Sequence, residues 1–174
     1  AAEAGFIDDL KSFDWASKVT FHFSDQNRRE NLDKTLAGYQ LGWQVYACGP
    51  DGYMAGVMEA AERQGFPEEA RHLEYFSVPE VPEHENSEFL LRLAKSGREF
   101  TVPANKTAAE VLIENGYAID LKCSDGICGV CQCGLKGGEV EHRDFVLSKA
   151  QRETTIILCQ SRAKAEGGMV EIDL

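Results

Sequence analysis

The sequence predicts two units in tandem: a parallel sheet with covering helices over the first half, then a unit of strands and one helix that carries a cysteine loop. Three observations carry that prediction. Strand-like and helix-like apolar patterns alternate between residues 6 and 77. The stretch VPEVPEHENS at 78–87 is rich in Pro and Glu and has no apolar period, which is linker composition. Beyond it the chain reads as a hairpin, a capped helix, the loop CSDGICGVC at 123–131 and a terminal strand. The expected division is therefore 1–77, a linker at 78–87, and 88–174.

The opening AAEAGFIDDLKSF places Phe6, Ile7 and Leu10 on one helical face. KVTFHFS alternates Val19, Phe21 and Phe23 as a strand would, and Leu32 and Leu36 suit a short helix. WQVYACGP reads as a strand ending in a turn at Gly49–Pro50. Tyr53, Met54, Val57, Met58 and Ala61 then recur at helical spacing, with Gly65 and Pro67 as stop signals. RHLEYFS closes this half as a strand, and strands alternating with helices are the nucleotide-binding style of architecture. In the second half EFLLRLAKSGREFTV looks like two strands joined at Ser96–Gly97. Thr107 and Glu110 form a capping box that opens the helix TAAEVLIENG, ended by Gly116, and MVEIDL is a terminal strand.

With 174 residues, 43% hydrophobic and 27% charged, the chain has the composition of a soluble globular protein. No stretch approaches the roughly 18 to 20 apolar residues of a membrane span, and the N-terminus has no basic and apolar leader, so a cytoplasmic location is expected. The chain opens on Ala1 rather than Met, inside a segment that already reads as helix, which suggests that something upstream has been removed. A net charge of −11 argues against nucleic acid or anionic membrane as partner. The charge is uneven: residues 1–84 carry 15 acidic and 7 basic groups, a net of −8, and residues 85–174 carry 14 and 11, a net of −3. Such a surface serves solubility or steers a basic protein partner.

Cys123, Cys128 and Cys131 stand in a Cys-x4-Cys-x2-Cys pattern, and 27 residues separate Cys131 from Cys159 in the apolar run TTIILCQ. That spacing holds a plant-type 2Fe–2S cluster. Disulfides do not suit a compartment that keeps thiols reduced. A zinc ribbon usually has two close Cys-x2-Cys pairs, and this chain has one. Gly126 and Gly129 permit the φ values and close approach that wrapping a cluster needs, and amide N–H groups of the loop can donate to its sulfurs. Cys133, two residues after a ligand, would be cramped as a ligand itself and is expected as a small core residue on a strand. His142 is expected at the surface or as a cap, His22 and His72 on strands, and the acidic run around Glu68, Glu69 and Glu74 as a solvated face.

CGP at 48–50 is weak alone, because Gly and Pro often merely punctuate a strand-to-helix connection. Together with YACGPDGYM, HLEYF, the PAN segment at 103–105, the cysteine loop, GGEVEHRDFVLSKAQ and the SRAK segment at 161–164, it resembles the reductases of Rieske-type oxygenases. The likeness is to the phthalate dioxygenase reductase and vanillate demethylase reductase group and covers essentially the whole chain. It implies a partial NAD-binding domain followed by a plant-type ferredoxin domain of β-grasp fold. By that likeness Cys48, Gly49 and Pro50 lie beside the nicotinamide ring, Glu74 and Phe76 near where nicotinamide meets flavin, and Asp25 against the dinucleotide's ribose. The family's flavin barrel, with its Arg-x-Tyr-Ser/Thr signature, has no counterpart here, and no GxGxxG is found.

The chain therefore reads as the C-terminal portion of a longer, monomeric NADH-dependent reductase, cut inside its NAD domain. This portion lacks FMN and is expected to be inactive with NADH by itself. In the intact protein, hydride passes from NADH to FMN, because a flavin splits the pair that a 2Fe–2S centre takes singly. Electrons then pass to the cluster and on to the Rieske centre of a separate demethylase or ring hydroxylase. Plant-type clusters lie near about −400 mV and Rieske centres higher, which makes the last transfer downhill. Two other readings compete. A stand-alone ferredoxin-like carrier leaves the CGP half unexplained, and a zinc-stabilised interaction module would be colourless.

Overall fold

A computed structural model describes residues 5–23, 30–79 and 84–174. In the first half β1 (Val45–Cys48) and β2 (Arg71–Glu74) pair in parallel, with Val45 opposite Arg71 and Cys48 opposite Glu74. Parallel strands need a crossover between them. Here it contains the 13-residue helix α3 (Asp51–Arg63), which turns Met54, Val57, Ala60 and Ala61 inward and is followed by Gly65 at φ 87. Val45, Ala47, Val57, Ala61, Phe66 and Ala70 form a small core, on which Leu32 and Leu36 also pack. The short helix α2 (Leu32–Thr35) carries Asp33, whose carboxylate accepts two hydrogen bonds from Arg63 at 3.0 and 3.1 Å.

Two expectations for this half change. The opening helix α1 (Ile7–Ser12) forms but buries no residue. Residues 19–23 of KVTFHFS form no strand, and His22 is exposed. Phe21 and Phe23 do fall on one side, their rings stacked at 6.2 Å, as alternation requires. Alternation alone does not make a strand. Its N–H and C=O groups need a neighbouring edge, and the only described partner of β1 is β2.

The second half is built on a five-stranded mixed sheet in the order β4-β3-β9-β5-β7. β3 (Phe89–Leu93) and β4 (Glu99–Val102) form the expected antiparallel hairpin, with Gly97 at φ 67 in its turn. The terminal strand β9 (Met169–Ile172) lies between them and β5 (Gln132–Gly137), parallel to β3 and antiparallel to β5. β7 (Thr155–Ile157) closes the far edge against β5, and the short strands β6 (Val140–Glu141) and β8 (Arg162–Ala163) pair apart from the main sheet. Helix α4 (Ala108–Glu114) opens on a complete capping box between Thr107 and Glu110 and is followed by Gly116 at φ 84. Its Ala108 and Ala109 are fully buried. Small side chains there let the helix approach closely, and Ala109 N–H reaches the Leu158 carbonyl at 3.1 Å.

The segment between the two cores is fastened to the second half. Arg162, itself buried, donates to the carbonyls of Ser87, Pro103 and Lys106 at 2.7 to 3.0 Å and lies over the Phe89 ring. Arg143 donates to Asn86 Oδ1 at 2.6 Å and to the Glu85 carbonyl at 3.3 Å. The two halves also touch directly: Glu68 Oε1 accepts from the Lys149 N–H at 3.0 Å, and the Tyr75 and Phe145 rings stand 5.7 Å apart. Glu69 and Glu74 are exposed as expected, whereas Glu68 is a tether rather than part of a free acidic face.

Candidate metal centre

The loop 123–131 links α4 to β5, and Cys159 follows β7 across the core, so strand pairing brings the two ends of the site together. Leu158 N–H donates to the Cys131 carbonyl at 3.2 Å. Cys131 and Cys159 are buried, Cys123 is half-buried and Cys128 is exposed. The four thiols act on one another as two pairs, Cys123 with Cys128 and Cys131 with Cys159.

The pairs set the thiol acidities. Burial works upward on Cys123, but hydrogen bonds from the Cys128 thiol and from the amides of Asp125, Ile127 and Cys128 outweigh it and bring Cys123 down to about 7. The Cys159 thiol, donating to Cys131, lowers Cys131 to about 6 against the effect of burial. The same bond, with burial, pushes Cys159 up. Each pair is thus arranged to hold a thiolate, the form that binds metal.

A structural zinc needs four ligands around one point. Four thiols in two neighbouring pairs suit a diiron core, in which two of the four cysteines serve each iron. The loop backbone fits a bound cluster as well. Gly126 and Gly129 have φ 74 and 70, the left-handed region expected of them. At Gly126 the fit is also steric, since a Cβ would stand 3.1 Å from Gln160 Cγ and 3.2 Å from Asp144 Cα. Ser124 adopts φ 62, an uncommon conformation for a residue with a side chain.

Cys133 sits on β5 opposite Ile156, half-buried against the core, and burial pushes its thiol up. His142 departs from expectation: its side chain is 12% exposed, with Nδ1 3.7 Å from Asp144 Oδ2, and burial lowers its pKa. Sequence reasoning missed Asp144 and Gln160. Asp144 is buried, and its Oδ1 accepts from the N–H groups of Val146 and Leu147 at 3.2 and 2.8 Å, while the Phe145 N–H donates to the Gly126 carbonyl at 3.1 Å. An Asp followed by turn-forming N–H donors is an Asx-turn signal that was available in EHRDF. Gln160 carries no such local signal.

At the other end of the chain, Cys48 and Glu74 lie opposite each other at the C-terminal ends of β1 and β2, where ligands bind in open α/β sheets. Gly49 and Pro50 form the turn into α3, and a cavity of about 480 Å³ beside it is lined by Asp51, Met54, Leu73 and Tyr75. Phe76 lies just beyond β2 and is 87% exposed. Asp25 lies outside the described residues.

Residues 91–164 match the family described as "2Fe-2S iron-sulfur cluster binding domain". The vanillate O-demethylase oxidoreductase of Pseudomonas sp. (strain HR199) is 34% identical over 166 residues, which cover 93% of this chain and 52% of that protein. The phthalate dioxygenase reductase of Burkholderia cepacia is 33% identical over 162 residues, 92% of this chain and 50% of that protein. A solved phthalate dioxygenase reductase, described as a modular structure for electron transfer from pyridine nucleotides to [2Fe-2S], superposes with a TM-score of 0.58 at 33% identity over 97% of this chain and 52% of its own. Full-length CYP116B46 from Tepidiphilus thermophilus superposes with a TM-score of 0.76 at 30% identity over 98% of this chain and 23% of its own. The chain thus spans about half the length of the curated relatives it matches. Residues 91–164 are thus similar to the 2Fe-2S iron-sulfur cluster binding domain, and the chain around them is similar to about half the length of the phthalate dioxygenase reductase and the vanillate O-demethylase oxidoreductase.

Proposed function

We propose that the chain is the electron-exit portion of an NAD(P)H-dependent flavin and iron–sulfur reductase, passing electrons singly to a Rieske-type demethylase or ring hydroxylase. The observation that carries this reading is that the β5–β7 pairing brings Cys159 beside Cys131, the last cysteine of a Cys-x4-Cys-x2-Cys loop shaped by glycine. Cys123 and Cys128 hold one iron, Cys131 and Cys159 the other, and Cys133 remains a core residue. A 2Fe–2S cluster bound there supplies one-electron transfer. The amides of Asp125, Ile127 and Cys128 direct their dipoles at Cys123, offsetting negative charge on the site. Cys128 is exposed, so the site reaches the surface at which a partner docks.

Cys48, Gly49, Pro50, Glu74 and Phe76 are assigned to the nicotinamide side. FMN belongs to the portion of the longer relatives that this chain does not match. The units are 1–77, 78–87 and 88–174, in a cytoplasmic, monomeric protein. No helix among the described residues is long and apolar enough to cross a membrane. The likeness to an intact type IV self-sufficient cytochrome P450 monooxygenase, with a TM-score of 0.68 at 31% identity over 97% of this chain and 22% of its own, supports a second acceptor class, a haem monooxygenase, at the same exit.

Stopped-flow mixing tests the proposal. The chain, reduced by dithionite, is expected to reoxidise when mixed with an oxidised Rieske oxygenase, and excess NADH alone is expected to leave it oxidised. Lack of reoxidation by any Rieske partner, together with rapid reoxidation by a haem monooxygenase, would favour the second acceptor.

A further inference from the structure

The Ser124–Asp125 peptide is engaged on both sides. Its carbonyl accepts a hydrogen bond from Gln160 Nε2 at 2.7 Å, and its N–H donates to Cys123 Sγ at 3.4 Å. A carbonyl oxygen only accepts, so it is the amide nitrogen of Gln160 that faces it. Because the peptide is planar, the two bonds belong to one rigid unit, and whatever fixes the carbonyl also aims the N–H. The unit needs fixing, since Ser124 is held at φ 62, where residues with a Cβ rarely rest. Gln160 is well placed for this. It follows Cys159 directly, and its Cγ packs where a Cβ on Gly126 would stand 3.1 Å away.

We infer that Gln160 is a positioning residue for the electron-transfer site: it holds the Ser124–Asp125 peptide so that the Asp125 N–H points at the Cys123 sulfur, and thereby raises the reduction potential of the cluster. The inference rests on the 2Fe–2S reading above. Reduction adds negative charge to the site, and an N–H aimed at a ligand sulfur interacts more strongly with the more negative state. A hydrogen bond accepted at the carbonyl polarises the same amide and strengthens its N–H donation. The amides of Ile127 and Cys128 also act on Cys123, so loss of Gln160 weakens the effect without abolishing it.

The test compares two variants of the full chain carrying its cluster. Gln160→Met keeps the length and the packing against Gly126 but removes the donor, and Gln160→Glu sets an acceptor against the carbonyl. Redox titration followed by electron paramagnetic resonance is expected to give both a more negative midpoint than wild type. At a fixed applied potential the ratio of reduced to oxidised cluster falls roughly three- to tenfold, the size of one ordinary hydrogen bond. The g values of the reduced state are expected to shift as well. If Gln160 only packs, Gln160→Met keeps the wild-type midpoint, and that result overturns the inference. So does a Gln160→Glu variant with an unshifted midpoint, including the case in which Gln160→Met does not retain its cluster. A wild-type protein that holds no iron or sulfide overturns the proposed function and this inference with it; a wild-type cluster whose midpoint both variants share overturns the inference alone.

Discussion

Cys133 and Cys159 are both packed into the second half's core, yet the structure separates them by partner. Cys159 meets Cys131, whereas Cys133 meets Ile156 across β5 and β7. Cys159→Ala is therefore expected to lose the visible charge-transfer absorption of the cluster and Cys133→Ala to keep it, and a bleached Cys133→Ala protein would overturn the assignment. Gly126→Ala forces a Cβ into φ 74 between Gln160 and Asp144. It is expected to cost about 1–3 kcal/mol and to speed iron loss to a chelator several-fold. His142 makes a prediction in pH. Burial lowers its folded pKa, only partly offset by the charge of Asp144, so the unfolded chain binds the proton first. Stability is then full above the unfolded histidine value of about 6.5 and falls as pH drops from there toward the lowered folded value. His142→Gln is expected to flatten that part of a plot of melting temperature against pH. The three closely spaced cysteines and both loop glycines were legible in the sequence, because their spacing is local. The burial of His142 and the reach of Gln160 to Ser124 were not, because they depend on residues brought together only by the fold.

Among the elements, α4 was the most legible, since its capping box and its terminal glycine lie within one local window. Thr107→Ala removes the side-chain acceptor of the Glu110 N–H and is expected to cost about 1 kcal/mol in denaturant unfolding. The Thr107 N–H also holds the Glu110 carboxyl below its usual range, a stabilisation present at neutral pH and lost as pH falls through the lowered value. Residues 19–23 show the limit of periodicity. Val19, Phe21 and Phe23 satisfy the alternation of a strand, but pairing is a property of two segments, and no described neighbour meets them. For the same reason MVEIDL could be read as a strand, while its central place between β3 and β5 could not.

In the whole molecule, two separate cores are joined by a segment that Arg143 and Arg162 fasten to the second. The composition shift at 78–87 falls in sequence between the residues of the two cores. The fastening of the segment was hidden, because the arginines lie more than 50 residues downstream. The proposed cluster site lies wholly in the second half, so iron removal is expected to act unevenly. Both tryptophans, Trp15 and Trp43, lie in the first half and report on it alone. Chelation is expected to lower the midpoint of the circular-dichroism melt while leaving the tryptophan-fluorescence melt in place. The measurement that bears most directly on the central claim is the visible spectrum of the chain with iron and acid-labile sulfide analysis. A brown protein with two irons and two sulfides per chain is the predicted result, and a colourless protein that binds zinc and never iron would contradict it.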